Sequence, residues 1–278
     1  MKIDITVLSD NTATSCYLAE WGLSMLVEAD CKKILFDTGR SFTALHNAGL
    51  AGKDFSKLDA IVLSHGHYDH TGGLLSILKQ SGGQVDVIAH PAAFNPKYAF
   101  RKPGAPLDYI GIPVTARELE EHGAQLVLTK EPCKITESVT TTGEIPLLSD
   151  FEHPDKDLVE TSEGKSFPDP FLDDLALVID SGSGLVIVAG CSHRGIINAV
   201  KQAQRITGEE KILAVIGGFH LYDASEEQIK RTAEALKEMK IEQVVAGHCT
   251  GFKASCVLQN VLGESFQLLT AGAKIRFS

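Results

Sequence analysis

The chain has 278 residues, 44% of them hydrophobic and 22% charged, the make-up of a globular protein long enough to bury a sizeable core. A formal net charge of −10 without any long Lys/Arg run argues against nucleic acid or an anionic membrane surface as partner. No stretch approaches the roughly 18 apolar residues of a membrane span. The polar-alternating start MKIDITVLSD is unlike a signal peptide, and six dispersed cysteines without a CxxC pair fit free thiols, so a cytoplasmic protein is expected.

In chain order, residues 2–8, 23–28, 32–36 and 58–63 read as strands. The last of these stops at the polar loop SHGHYDH. TGGLLSILKQ then reads as one helix, with Asp69 a better cap than Thr71 and Gly82-Gly83 as its stop, followed by the short strand VDVIAH. In the second half LALVID, LVIVAG, KILAVIGG and QVVAGH read as strands, the first two joined by a hairpin turn at 182–184. Residues 194–206, 225–239 and about 252–261 read as helices, and FQLLTAG and KIRFS close the chain as strands. Hairpins mixed with strand–helix alternation predict two face-to-face sheets with helices outside, an αββα sandwich formed as a single domain over 1–278.

All ten prolines fall between Pro91 and Pro170. Proline breaks central strands and helix interiors, so residues of about 91–172 are expected to form an insertion, or lid, over the sandwich.

The segment from Ser64 to His70 packs four candidate ligands, His65, His67, Asp69 and His70, directly behind an apolar strand. Imidazole and carboxylate suit zinc and other first-row metals. Residues i and i+2 of an extended segment point the same way, so His65 and His67 can share one ion, while Asp69 and His70, past a turn, can face a second. Gly66 allows close backbone approach. Three later strands end in the same manner. Cys191 and His193 follow LVIVAG at i, i+2 spacing, His220 follows AVIGGF and His248 follows VVAG. One active-site edge built from several strand ends accounts for this repetition.

The HxHxDH segment resembles the signature of the metallo-β-lactamase superfamily, and Leu35-Phe36-Asp37-Thr38-Gly39 resembles that family's earlier aspartate marker. The resemblance implies two divalent metal ions, zinc first with manganese or iron as alternatives, and a hydrogen bond from Asp37 to a ligand histidine. His248 matches the family's final ligand. Where many members carry Gly-Asp this chain has Gly190-Cys191, so either Cys191 takes the bridging slot or His193 fills a ligand position. GCSHRG, GGFHL and GHCTG, with the long insertion, are similar to proteins related to dihydropterin and β-ribofuranosylaminobenzene 5′-phosphate synthases.

A two-metal site implies a hydrolase that activates water against an ester or phosphodiester-type small molecule. Asp69 would orient that water and pass protons, and His220 would be an outer acid/base. Three alternatives stand beside this: a pterin-type transferase, a mononuclear iron dioxygenase and a non-catalytic ligand sensor. Tyr98, Arg101 and Lys102, with Lys97, Phe100 and Tyr109 around them, suit a planar ring bearing phosphate. Arg194 is a further anion clamp, and the amides of Gly72 and Gly73 a further phosphate contact. The expected partner is a small molecule, and a homodimer is compatible with the chain's size.

Overall fold

The β-branched runs of both halves pair into two sheets. The computed structural model describes residues 1–100, 106–162 and 165–278. The first sheet orders seven strands as Lys274–Phe277, Ile3–Ser9, Ser24–Ala29, Lys32–Phe36, Ala60–Val62, Val85–Ala89 and Ala124–Leu128. The second orders six as Phe266–Leu268, Gln243–Gly247, Ile212–Gly218, Leu185–Ala189, Ala176–Asp180 and Val139–Thr141. Alternating side chains, among them Ile3, Ile5 and Val7 from one sheet and Leu177, Ile179, Val186 and Val188 from the other, fill the layer between them. Each such side chain contributes about 1.5–3 kcal/mol by leaving water.

Helices cover the outer faces. Thr43–Leu50 and Leu74–Ser81 lay Ala44, Ala48, Leu74, Ile77 and Leu78 on the first sheet. Ile196–Thr207, Glu226–Glu238 and Phe252–Leu262 lay Ile197, Val200, Ile229, Leu236 and Leu258 on the second. Local chemistry sets their ends: the Ser225 side chain accepts from the Gln228 N–H, and Gly208 ends Ile196–Thr207 at φ +76°. The αββα sandwich is therefore the observed fold. No helix among the described residues is long and apolar enough to cross a membrane.

Two expectations need correction. The proline-bearing stretch is not wholly an excursion over the sandwich. Ala124–Leu128 extends the first sheet parallel to Val85–Ala89, and Val139–Thr141 extends the second against Ala176–Asp180. Both are edge strands, where prolines nearby cost no central ladder bonds. Lys97–Ala99, Asp108–Tyr109, Leu158–Ser162 and Lys165–Pro168 do form a separate four-stranded antiparallel sheet. The helix read over TGGLLSILKQ is also two pieces. Asp69 lies inside the short helix Tyr68–Thr71, and Leu74–Ser81 starts after Gly73 without a side-chain cap.

In each sheet, four consecutive neighbours run parallel: from Lys32–Phe36 to Ala124–Leu128 in the first, and from Leu185–Ala189 to Phe266–Leu268 in the second. Asp37, the loop of His65 to His70, Cys191 with His193, His220 and His248 all follow the carboxyl ends of these strands. The site is thus assembled at one edge of the sandwich.

Candidate metal centre

The backbone is under strain where these strands end. Asp37, Phe171, Ser192, His220 and His248 all have φ between +46° and +57°, five of the nine non-glycine residues with positive φ among those described. Such conformations cost of order 1 kcal/mol each and persist only when surrounding contacts over-determine them. Two glycines give the room. A Cβ on Gly66 would lie 2.0 Å from the Ala93 carbonyl oxygen, and one on Gly190 would lie 2.1 Å from Ser64 Oγ.

Eight predicted residues converge here. His65, His67 and His193 bring one ring nitrogen each to within 4.8 Å of one another, and Asp69, His70 and His248 bring their donor atoms together at the same range. Cys191 lies with both: Sγ is 3.1 Å from His70 Nε2, and the thiol also groups with His65 and with His193 and His220. All are buried except His220, which is partly exposed. In the second set His70 Nε2 is 3.2 Å from His248 Nε2, and Asp69 Oδ2 is 3.3 Å from His248 Nε2.

Second contacts orient the rings. Asp37 is fully buried, and its Oδ2 lies 2.7 Å from His70 Nδ1 and accepts from Ser64 Oγ. Its Oδ1 accepts from the Ser64 backbone N–H. His70 thereby keeps Nε2 toward the cluster, the arrangement expected of a metal-ligand histidine. Asn11, which the sequence reading missed, does the same for His248. Its Oδ1 lies 2.9 Å from His248 Nδ1, and its Nδ2 donates to the His248 carbonyl. Cys249 was also missed: it is buried, and its Sγ accepts from the His220 backbone N–H. A signal for both was present in the sequence, since Asn11 follows the end of the first strand and Cys249 sits inside GHCTG.

The residues fit a divalent cation. His65 Nε2, His67 Nε2 and both ring nitrogens of His193 are buried without a hydrogen-bond partner among the described residues. Each such group would cost about 1–3 kcal/mol if nothing engaged it. Burial holds His65 and His193 well below the usual imidazole range and takes His67 to about 3, so all three are neutral and able to coordinate. Burial would also lower His70, but Asp37 and Asp69 outweigh it and raise the ring to about 9. Burial works against the charge on Asp69, yet His70 and His248 hold its carboxyl below the usual range. His220 is raised to about 10, the nearby Asp155 carboxylate and Cys249 sulfur outweighing burial. Its Nε2 lies 3.8 Å from Asp155 Oδ2, and its ring centre 4.2 Å from that of His193.

The substrate-side expectations fare differently. Arg101 and Lys102 lie outside the described residues. Tyr98 packs edge-on against Tyr109 at 5.4 Å in the four-stranded sheet. Lys97 is fully buried in ion pairs with Glu160, Asp169 and Asp173, so its charge is not offered to a ligand. The Arg194 guanidinium donates to the Ile145 and Pro170 carbonyls, which ties the side chain to loops rather than leaving it open as a clamp. The amides of Gly72 and Gly73 are spent on the Tyr68 and Gly39 carbonyls. Exposed aromatic surface also lies beside the second donor set. The half-exposed Trp21 sits 5.5 Å from the His248 ring and meets the exposed Tyr222 edge-on at 5.9 Å. The guanidinium of exposed Arg40 lies over the Tyr68 ring at 5.1 Å.

This sandwich, with histidines, aspartate and cysteine gathered at its strand ends, belongs to the metallo-β-lactamase superfamily, whose family model matches residues 22–248. Within that class the chain is 36% identical to the 7,8-dihydropterin-6-methyl-4-(beta-D-ribofuranosyl)-aminobenzene-5′-phosphate synthase of Methanocaldococcus jannaschii, over 99% of this chain and 97% of that one. It also resembles Tm1679, a metal-dependent hydrolase of the beta-lactamase superfamily, with TM-score 0.86 and 31% identity over 99% of each chain. The metallo-beta-lactamase fold protein YhfI from Bacillus subtilis, at 14% identity and TM-score 0.61 over 99% of each chain, shares the fold.

Proposed function

We propose that the chain is a dinuclear metal-dependent hydrolase that cleaves an ester or phosphodiester-type bond in a small, phosphorylated, aromatic substrate. The observation that carries this reading is the meeting of two donor sets at Cys191. His65, His67 and His193 would hold one divalent ion, and Asp69, His70 and His248 a second, with Cys191, whose thiol burial pushes up until a metal takes its proton, close to both sets. Imidazole, carboxylate and one thiolate favour zinc, with manganese or iron as alternatives. When bound, such a pair supplies an activated water at neutral pH and stabilises developing negative charge on the substrate.

The protein's own groups supply the rest. Asp69, kept ionised, orients the attacking water and takes its proton. His220, held protonated by Asp155 and Cys249, donates to the leaving group. Trp21 and Tyr222 offer a face and an edge to a planar ring beside His248, and Arg40 offers a fork to a phosphate.

A second reading is favoured by the 36% identity to the synthase over nearly the full length of both chains. In it the aromatic amine of a ribofuranosylaminobenzene phosphate replaces water as nucleophile, forming a C–N bond to the 6-methylene carbon of a dihydropterin as the leaving group on that carbon departs and the nitrogen loses a proton. One experiment separates the two. Zinc-reconstituted protein is incubated with a panel of phosphodiesters and esters, and separately with an activated 6-methyl-dihydropterin plus β-ribofuranosylaminobenzene 5′-phosphate. Turnover with water as sole acceptor supports the hydrolase. Coupling that needs both halves supports the synthase. No turnover in either, with metal bound, overturns both.

A further inference from the structure

Lys97 carries a buried charge for which the metal chemistry has no direct use. Its ammonium lies 2.6 Å from Asp169 Oδ2, 3.0 Å from Asp173 Oδ1 and 3.3 Å from Glu160 Oε1, with the side chain wholly buried. A cluster of this kind is a poor device for stability alone, since apolar side chains of equal volume often serve as well or better.

What the cluster holds is specific. Asp173 gives its other oxygen, Oδ2, to the backbone N–H of Gly66 at 2.8 Å, and Gly66 lies between His65 and His67. Asp169 Oδ1 accepts from the Phe171 N–H at 2.7 Å, at the turn where Phe171 has φ +50°. The Phe171 ring then stacks on His193 at 4.1 Å and 10°, and meets His67 edge-on at 5.8 Å. The Lys97 ammonium faces the same ring at 5.5 Å. The two histidines at Gly66 are therefore fixed through their backbone, and His193 is fixed by ring packing. That packing matters because, among the described residues, neither nitrogen of His193 has a hydrogen bond to orient it.

We propose that Lys97, Asp173 and Phe171 are positioning residues for the metal ion held by His65, His67 and His193. The inference rests on the two-metal reading above. It makes the strand Lys97–Ala99 and its sheet a support for one half of the centre. An amide at position 173 cannot accept from Gly66 and Lys97 together, so Asp173→Asn should loosen the His65–His67 pair without removing a ligand. Partners of this sort typically contribute about 10–100-fold to metal affinity.

The test uses the full chain as parent, Asp173→Asn, Phe171→Leu, Lys97→Met, and His193→Ala to assign signals to the three-histidine site. Each apo protein is titrated with zinc against a chromophoric chelator and with cobalt(II) for its visible spectrum, and its thermal unfolding is recorded. Asp173→Asn should weaken the three-histidine site about 10–100-fold and shift its cobalt bands, with the other site unchanged. Phe171→Leu should shift the same bands by less. Folded Asp173→Asn and Phe171→Leu proteins with parental affinities and spectra would overturn the inference, whatever their melting temperatures. If Lys97→Met fails to fold, those two variants still decide. A parent that takes up no metal overturns the two-metal reading as well, whereas a parent that binds two ions just as the variants do overturns the positioning role alone.

Discussion

The two halves of the candidate centre differ in what holds their histidine rings. His70 and His248 each have an outer nitrogen anchored by a side-chain oxygen, from Asp37 and Asn11. In the first set His65 has such an anchor, Ser64 Oγ at 2.9 Å from its Nδ1, but His193 has none among the described residues and rests on the Phe171 ring. The electrostatics divide along the same line. Burial, helped by neighbouring imidazoles and the Lys97 ammonium, depresses the three histidines of the first set, while carboxylates around His70 lift it to about 9. Rings held by packing are ready to coordinate, whereas a ring held by anions carries a proton that must leave first.

The largest effect should come from removing a ligand. His193→Ala is expected to lose one metal equivalent per chain and at least about a hundredfold in activity, read by elemental analysis and turnover. Two retained equivalents would show that His193 is not needed. Next, Asn11→Ala should weaken only the second set, by about 10–100-fold. Equal loss at both sites in a zinc titration would break the distinction between the halves.

The pH dependence follows with a definite sign. Below about 9 the His70 ring is protonated. Affinity of the second set should therefore climb at least about tenfold per unit from pH 6 to 9. His67, taken to about 3, has no proton to lose over that range, so the first set should vary only through the shared Cys191 thiol, which burial pushes up. Zinc titrations at pH 6, 7, 8 and 9 check this, and a flat second site would contradict it. The smallest effect is expected from Arg194→Ala. Its guanidinium serves loop carbonyls, so stability should fall by about 1 kcal/mol with KM unchanged; a raised KM would restore Arg194 as a substrate clamp.

The parts of the site legible in the sequence are those whose logic is local. HxHxDH, the Cys191–His193 pair and His248 announce themselves by spacing behind apolar strands, and the structure gathers all of them. Asn11 also follows a strand end, but nothing local marks it as an anchor, because its partner His248 is 237 residues away. Asp173 likewise meets Gly66 across 107 positions. Lys97 misled because a cation beside aromatics looks alike whether it faces solvent or three carboxylates. In the fold, the long strands and amphipathic helices were plain. Thr43–Leu50 was missed because its short, alanine-containing sequence has no side-chain cap. The edge strands Ala124–Leu128 and Val139–Thr141 were hidden by the prolines around them.

The most direct test of the two-site account is metal content per chain, by elemental analysis of protein purified without chelator, beside a His65→Ala/His67→Ala double variant. The account predicts about two divalent ions in the parent, with the first-set ion lost in the variant. A single ion in the parent that survives the double substitution, or no metal in either protein after reconstitution, would contradict it.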